Sequence, residues 1–333
     1  MCVYISGDQC KCIANTGING GEIGGYLPTS QQSLRKPLDS LEDYDNYNEA
    51  WGLVLAILSA VGITITLLLF IYLMIYYPVK SGTSALGYFV LFGVLCLYAL
   101  NFAFIWVPSD ETCFIRRFCF GVIYALIFSC FLVKVLNTWR IGDAWDDYNP
   151  PTYERLSHPC SLVAITIGLM LVQVIIAIEW LVLQKAEVDF EDHYNTWYPR
   201  CEPYESHNEE MVYSCIYVMF LILLTMIFSA VTWDSNENHR ESRWILMASL
   251  FTSIIWIAWI CVTLLAGYKY RDPAYVIANL VNATVVLMFM YIRKIYLLNK
   301  YTKEIEDERK SQLSTGSRPP SKYILFSIRF IFK

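Results

Sequence analysis

The sequence of 333 residues has few charged side chains: they make up 17% of it, whereas hydrophobic residues make up 56%. A soluble domain carries about a quarter charged residues, so much of this chain is expected to lie in a solvent other than water. A basic excess is also absent, because the formal net charge at pH 7 is −5. This charge balance argues against nucleic acid as a partner.

Histidine is scarce, and the cysteines do not form metal-binding motifs. The four histidines all fall in or near loops between the apolar stretches, at His158, His193, His207 and His239. Zinc-type CxxC pairs are absent, and many of the eleven cysteines lie inside apolar runs. The sequence therefore predicts neither an enzyme nor a metal or cofactor site.

Long apolar runs make up most of the remaining sequence. A helix needs about 20 predominantly apolar residues to cross the hydrocarbon core of a bilayer. The runs here are apolar all round instead of on one stripe, which disfavours the buried helices of a soluble protein. We predict an all-α membrane protein, a seven-transmembrane helix bundle embedded in the lipid bilayer, with spans at residues 51–77, 85–107, 113–137, 161–183, 211–233, 244–266 and 273–298.

The distribution of lysine and arginine predicts the orientation of the bundle. Six basic residues lie at or just after the end of the last apolar run, at Arg293, Lys294, Lys300, Lys303, Arg309 and Lys310. Basic residues next to membrane spans favour the cytoplasmic side. We therefore expect residues 1–50 to be a short extracellular segment, residues 51–298 the membrane domain and residues 299–333 a cytoplasmic tail, in a multi-pass protein of the plasma membrane.

Two other classes of multi-span protein are disfavoured. A light-driven pump needs a lysine in the middle of its seventh span to bind retinal, and none occurs between Pro273 and Tyr291. A transporter usually shows internal repeats and helices interrupted by glycine and proline at corresponding positions, and the sequence has neither feature.

The third run, TCFIRRFCFGVIYALIFSCFLVKVLNTWRI, carries cations at both ends. Arg116 and Arg117 lie near one end, and Lys134 lies about seventeen residues further, roughly 25 Å along a helix, so these cations are expected to extend to opposite membrane interfaces. Cys113 stands just outside the pair of arginines, and a disulfide to Cys201 would fasten the loop between spans four and five over span three. If spans three and six are neighbours, Lys134 and Glu241 would meet at the cytoplasmic face.

These residues also carry a resemblance to a known family. The pattern C-x-x-R-R-x-x-x-G from Cys113 to Gly121, and RESRWILMASLFTSIIWIAW in span six, resemble class C G-protein-coupled receptors. Further stretches, AWGLVLAILSAVGI, ETCFIRRFCFGVIYALIFSC, VIIAIEWL and IIWIAWI, resemble the retinoic-acid-inducible orphan group (group 5) and Bride of sevenless-like proteins. Span seven departs from the metabotropic type, because Arg293 stands where those receptors carry proline.

The resemblance implies a receptor without a large ectodomain, whose partners are an extracellular ligand, a heterotrimeric G protein and a second receptor in a homo- or heterodimer. It implies that Lys134 and Glu241 form an ionic lock, which opens as the cytoplasmic ends of spans three and six separate. It also implies that Trp256 is a switch at the floor of a pocket. The alternative is a receptor-like membrane scaffold with little G-protein coupling of its own.

Four more residues are candidates for the pocket. Trp259 shares a helical face with Trp256, although aromatics at this spacing usually pack in a core. Glu179, beside Trp180, lies one turn inside the end of span four, where a charge costs little and a functional role is one of two options. Asn101, like Asn279 and Asn282, more often bonds between helices than to a ligand.

Overall fold

The computed structural model describes residues 2–3, 11–12, 50–76, 82–146, 159–183, 189–193, 196–201, 207–233, 241–265, 270–292, 295 and 303. Its helices are α1 (Ala50–Tyr76), α2 (Gly82–Ile105), α3 (Asp110–Asp146), α4 (Pro159–Leu183), α5 (His207–Ser214), α6 (Ile216–Val231), α7 (Glu241–Leu265) and α8 (Arg271–Leu287), and α8 continues into a π-helical turn, Met288–Ile292. Two antiparallel hairpins complete it: β1 (Cys2–Val3) with β2 (Lys11–Cys12), and β3 (Asp189–His193) with β4 (Thr196–Arg200). Most of the predicted extracellular segment, residues 1–50, lies outside the described residues. So do Arg293 and most of the predicted tail, residues 299–333, with most of the tail's basic residues.

The described part contains six to seven long apolar helices, which fits a bundle of seven spans. Six helices are long and apolar enough to cross a membrane: α1, α2, α3, α4, α7 and α8. The predicted fifth span is divided at Cys215 into α5 and the shorter apolar helix α6. The predicted fifth span, residues 211–233, thus contains an interruption that its apolar sequence does not indicate, and the hydrogen bonds around it are described below.

Helix α3 occupies the centre of the bundle, in contact with α2, α4, α6 and α7. In its most apolar stretch 78% of the residues are buried inside the protein, compared with 28% in α1 and 22% in α4. The outer faces of the peripheral helices are apolar and exposed, as at Val182 (76% exposed) and Leu265 (84%). Such faces are unfavourable in water and suit contact with lipid.

Helix α3 is also longer than the predicted span of residues 113–137. Its start is stabilised by a reciprocal pair of bonds, from Ser109 N to Thr112 Oγ1 (2.7 Å) and from Thr112 N to Ser109 Oγ (3.3 Å). Asp110 and Glu111 in the first turn add a favourable interaction with the helix dipole. Hydropathy does not detect these polar contributions, so it placed the beginning of the helix too late.

Glycines let neighbouring helices approach closely. An alanine Cβ at Gly93 of α2 would lie 2.6 Å from Ile127 Cγ1 of α3, and one at Gly62 of α1 would lie 2.5 Å from the Tyr98 ring of α2. Both distances are shorter than a carbon contact permits. Small residues at such contacts are typical of packed membrane helices, where close van der Waals contact replaces the hydrophobic drive available in water.

Candidate functional site

A disulfide joins Cys113, in the first turn of α3, to Cys201, which directly follows β4. The two Cα atoms are 5.2 Å apart, and the bond closes a separation of 88 residues. It attaches the β3–β4 hairpin to the start of α3. This end of the bundle is called the disulfide end below, and the opposite end, where Lys134 lies, is called the ion-pair end.

Near the disulfide end, Arg116 is buried against the last turn of α2. Its Nε donates to Ala103 O at 2.7 Å, and its Nη2 donates to Phe104 O at 3.3 Å and to Trp106 O at 3.0 Å. The last carbonyls of a helix have no donors within the helix, and the guanidinium supplies them here. The expectation that Arg116 extends to a membrane interface stays a prediction, and its N–H groups bond to these carbonyls at the end of α2.

The same side chain connects α3 to α8. Arg116 Nη1 lies 3.4 Å from Asp272 Oδ2 in the first turn of α8, and the guanidinium carbon lies 5.2 Å from the centre of the Phe104 ring. Phe104 stacks on Tyr275 of α8, with ring centres 4.9 Å apart. Arg116 and Phe104 together hold the ends of α2, α3 and α8 in one cluster.

At the ion-pair end, Lys134 Nζ lies 2.8 Å from Glu241 Oε1. Lys134 is on α3, Glu241 is the first residue of α7, and their side chains are 3% and 16% exposed. Spans three and six are therefore neighbours here. The expectation that Lys134 extends to a membrane interface stays a prediction, and the Glu241 carboxylate offers its ammonium a charged acceptor.

Between the two ends, an aromatic cluster joins α3, α7 and α8. It consists of Phe120 and Tyr124 on α3, Trp256 and Trp259 on α7, and Tyr275 on α8. Trp256 lies 5.0 Å from Tyr124 and 5.9 Å from Phe120 between ring centres, and Trp259 lies 5.2 Å from both Phe120 and Tyr275. Both tryptophans are buried, and their edge and tilted contacts are the favourable arrangements for aromatic rings.

A polar contact lies next to this cluster. Tyr124 donates its hydroxyl to Asn279 Oδ1 at 3.1 Å and accepts a bond from Asn282 Nδ2 at 2.8 Å. Both asparagines belong to α8 and are completely or almost completely buried. The asparagines were expected to bond between helices, and their spacing of three residues places them on one face. Tyr124 was not singled out in the sequence, because a tyrosine in an apolar run gives no signal of its partner.

The other pocket candidates, Asn101, Glu179 and Trp180, are not part of the aromatic cluster around Trp256 and Trp259. Asn101 Nδ2 donates to Ser59 Oγ at 2.9 Å, which links α2 to α1. Glu179 is exposed on α4, and Trp180 is half-buried. Within the residues that the structure describes, no group of three or more His, Cys, Asp and Glu side chains is placed to hold a metal ion.

Comparisons with known proteins match most of the chain. The family described as "7 transmembrane sweet-taste receptor of 3 GCPR" matches residues 45–294. G-protein coupled receptor family C group 5 member B of Mus musculus is 32% identical over 260 residues, which cover 74% of this chain and 58% of that protein. Group 5 member C of Homo sapiens is 28% identical over 274 residues, covering 77% and 59%.

The metabotropic glutamate receptor of Drosophila melanogaster is 27% identical over 269 residues. That alignment covers 77% of this chain but 26% of the fly protein. The chain thus spans about three-fifths of the length of its group 5 relatives and about a quarter of the fly receptor.

Proposed function

The chain belongs to the family of class C G-protein-coupled receptors, and we propose that it transmits a signal across the plasma membrane from an extracellular ligand to a heterotrimeric G protein. Receptors of this family are not enzymes. In this proposal the disulfide end faces the outside and the ion-pair end faces the cytoplasm. A second receptor chain is the partner that the family relationship favours.

The observation that carries the proposal is the contact between Lys134 and Glu241, at 2.8 Å. It ties α3 to α7 at the end where a G protein would bind. Two unit charges 4 Å apart attract by about 4 kcal/mol at an effective dielectric of 20, before desolvation is counted. A switch from mostly closed to mostly open needs about 5.5 kcal/mol, so this pair can supply part of the bias toward the closed state.

The aromatic cluster supplies a second part of that bias. Trp256 packs on Phe120 and Tyr124 of α3, so an outward movement of α7 separates these rings. Each aromatic pair contributes about 0.5–1.5 kcal/mol beyond its buried area. We assign Trp256, with Trp259 beside it, the role of a switch between a ligand on the outer side and the ion pair on the inner side.

The membrane placement is supported by exposed aromatic residues near both ends. Trp106 (63% exposed) and Tyr270 (64%) lie near the disulfide end, and Trp139 (37%) and Trp233 (41%) lie near the ion-pair end. Tryptophan and tyrosine are enriched at the two interfaces of a bilayer. A disulfide persists in an oxidising compartment, which supports an extracellular position for the Cys113–Cys201 end.

Constitutive recruitment of G protein in cells tests the proposal. The full chain is compared with Glu241→Ala at matched surface expression, and with Glu111→Ala as a control that removes an exposed carboxylate from the first turn of α3. We expect basal recruitment to rise in Glu241→Ala and to stay unchanged in Glu111→Ala. Recruitment that stays at background in all three proteins would favour the alternative, a receptor-like membrane scaffold.

A further inference from the structure

The break between α5 and α6 lies inside the predicted fifth span, residues 211–233. Helix α6 has 16 residues, which is roughly 24 Å of helix and less than the approximately 30 Å of a hydrocarbon core. The fifth span therefore crosses only if α5 continues it, and the break at Ser214 and Cys215 then falls within the membrane. Irregular backbone at this depth is tolerated only where the protein itself satisfies it.

One backbone bond and two side-chain bonds involve carbonyl groups around the break. The backbone N–H of Cys215 donates to Val212 O at 3.1 Å, three residues back along the chain. The Ser214 hydroxyl donates to Met211 O at 2.8 Å. The carbonyl of Ser214 accepts a bond from Gln173 Nε2 of α4 at 3.0 Å. The Ser214 hydroxyl is a local donor, and the Gln173 amide is a donor from a different helix.

Gln173 is an unusual residue for its position. It is 1% exposed, although α4 is mostly apolar and lies at the edge of the bundle. Its amide reaches Ser214 by passing Gly121 of α3, where an alanine Cβ would lie 2.5 Å from Gln173 Nε2. The absence of a side chain at Gly121 is therefore what admits the glutamine between the three helices.

We propose that Gln173 is a positioning residue that holds the break in the fifth span and, through Gly121, ties its geometry to α3. An apolar residue at position 173 would leave the Ser214 carbonyl without this donor in a medium that offers few others. Leaving a buried carbonyl without a donor costs more than an ordinary hydrogen bond contributes. The segment around the break then opens more often than the rest of the bundle.

Amide hydrogen exchange of the full chain in lipid nanodiscs, followed by mass spectrometry, tests this inference. We expect Gln173→Met, which keeps the length but removes the donor, to raise exchange of residues 211–219 about tenfold, with α1 and α8 unchanged. Gly121→Ala should raise exchange of the same segment, because it displaces the amide. Tyr98→Phe, which removes the 3.0 Å contact between Tyr98 and Thr284, is the control and should leave the segment unchanged.

The double variant Gly121→Ala/Gln173→Met separates positioning from general loosening. If Gly121 acts by admitting Gln173, the alanine adds little once the glutamine is gone, so the two effects are not additive. Wild-type exchange at residues 211–219 in Gln173→Met overturns the inference, as does an equal rise in every helix. If Gln173→Met fails to fold, Gly121→Ala alone is measured and judged by the same two outcomes.

Discussion

Arg116 of α3 donates its Nε to the carbonyl of Ala103 in α2, at 2.7 Å. This cation supplies donors to the last carbonyls of the preceding helix. Its other contacts, to two further carbonyls and to Asp272, make it the residue that joins α2, α3 and α8. One consequence for stability follows from the planar shape of its guanidinium.

The first prediction concerns the replacement of the planar Arg116 guanidinium by the ammonium group of a lysine. Arg116→Lys keeps the charge but cannot reach three carbonyls at once, so we expect a loss of about 1–3 kcal/mol in the free energy of unfolding. Asp272→Asn removes the longer 3.4 Å contact and keeps the carbonyl bonds, so its effect should be smaller. Thermal unfolding in nanodiscs measures the loss of stability in both variants. A larger loss in Asp272→Asn than in Arg116→Lys would contradict the claim that Arg116 acts mainly by bonding to the last carbonyls of α2.

A second prediction compares two tyrosines that each lose one hydroxyl. Tyr124→Phe leaves both Asn279 and Asn282 short of a partner in a buried place, at a cost of about 1–3 kcal/mol. Tyr98→Phe costs less, because Thr284 keeps its bond to Leu280 O at 2.7 Å. Thermal midpoints of the two variants should therefore differ, with Tyr124→Phe lower. Equal midpoints would mean that the asparagines find other partners.

The third prediction concerns the disulfide. Cys201→Ser opens a covalent loop of 88 residues, which is worth on the order of 4 kcal/mol in the chain-entropy model. We expect a large fall in thermal midpoint and in surface expression. Cys160→Ser, which changes an exposed free cysteine at the start of α4, is the matched control. Similar thermal midpoints for Cys201→Ser and Cys160→Ser would show that the Cys113–Cys201 disulfide contributes little to stability.

Much of the bundle could be predicted because hydropathy is local. Six of the seven apolar runs correspond to helices long enough to cross a membrane, and the motif from Cys113 to Gly121 pointed to the family. The pairs Cys113 with Cys201 and Lys134 with Glu241 are in contact, although the function of the ion pair remains a prediction.

The features that were missed depend on partners far away in the sequence. The run of residues 211–233 reads as one apolar helix, and its break involves Gln173 on another helix. The burial of Arg116 depends on carbonyl groups at the end of α2, which no side-chain pattern reveals. The role of Tyr124 depends on Asn279 and Asn282, which lie on α8 and more than 150 residues away in the sequence.

The fourth prediction concerns the lock itself. Lys134→Glu and Glu241→Lys each place like charges at a buried contact between α3 and α7, so we expect each single variant to raise constitutive G-protein recruitment. Every 1.4 kcal/mol removed from the closed state changes the ratio of open to closed receptor about tenfold. Surface expression is matched in all variants, so that recruitment reports the conformation and not the amount of protein.

The charge-swapped double variant Lys134→Glu/Glu241→Lys is the most direct measurement of this claim. It restores an attractive pair with the signs reversed, and we predict that basal recruitment returns toward the wild-type level. Recruitment in the double variant as high as in the single variants, or equal in all four proteins, would contradict the claim that this ion pair holds the receptor closed.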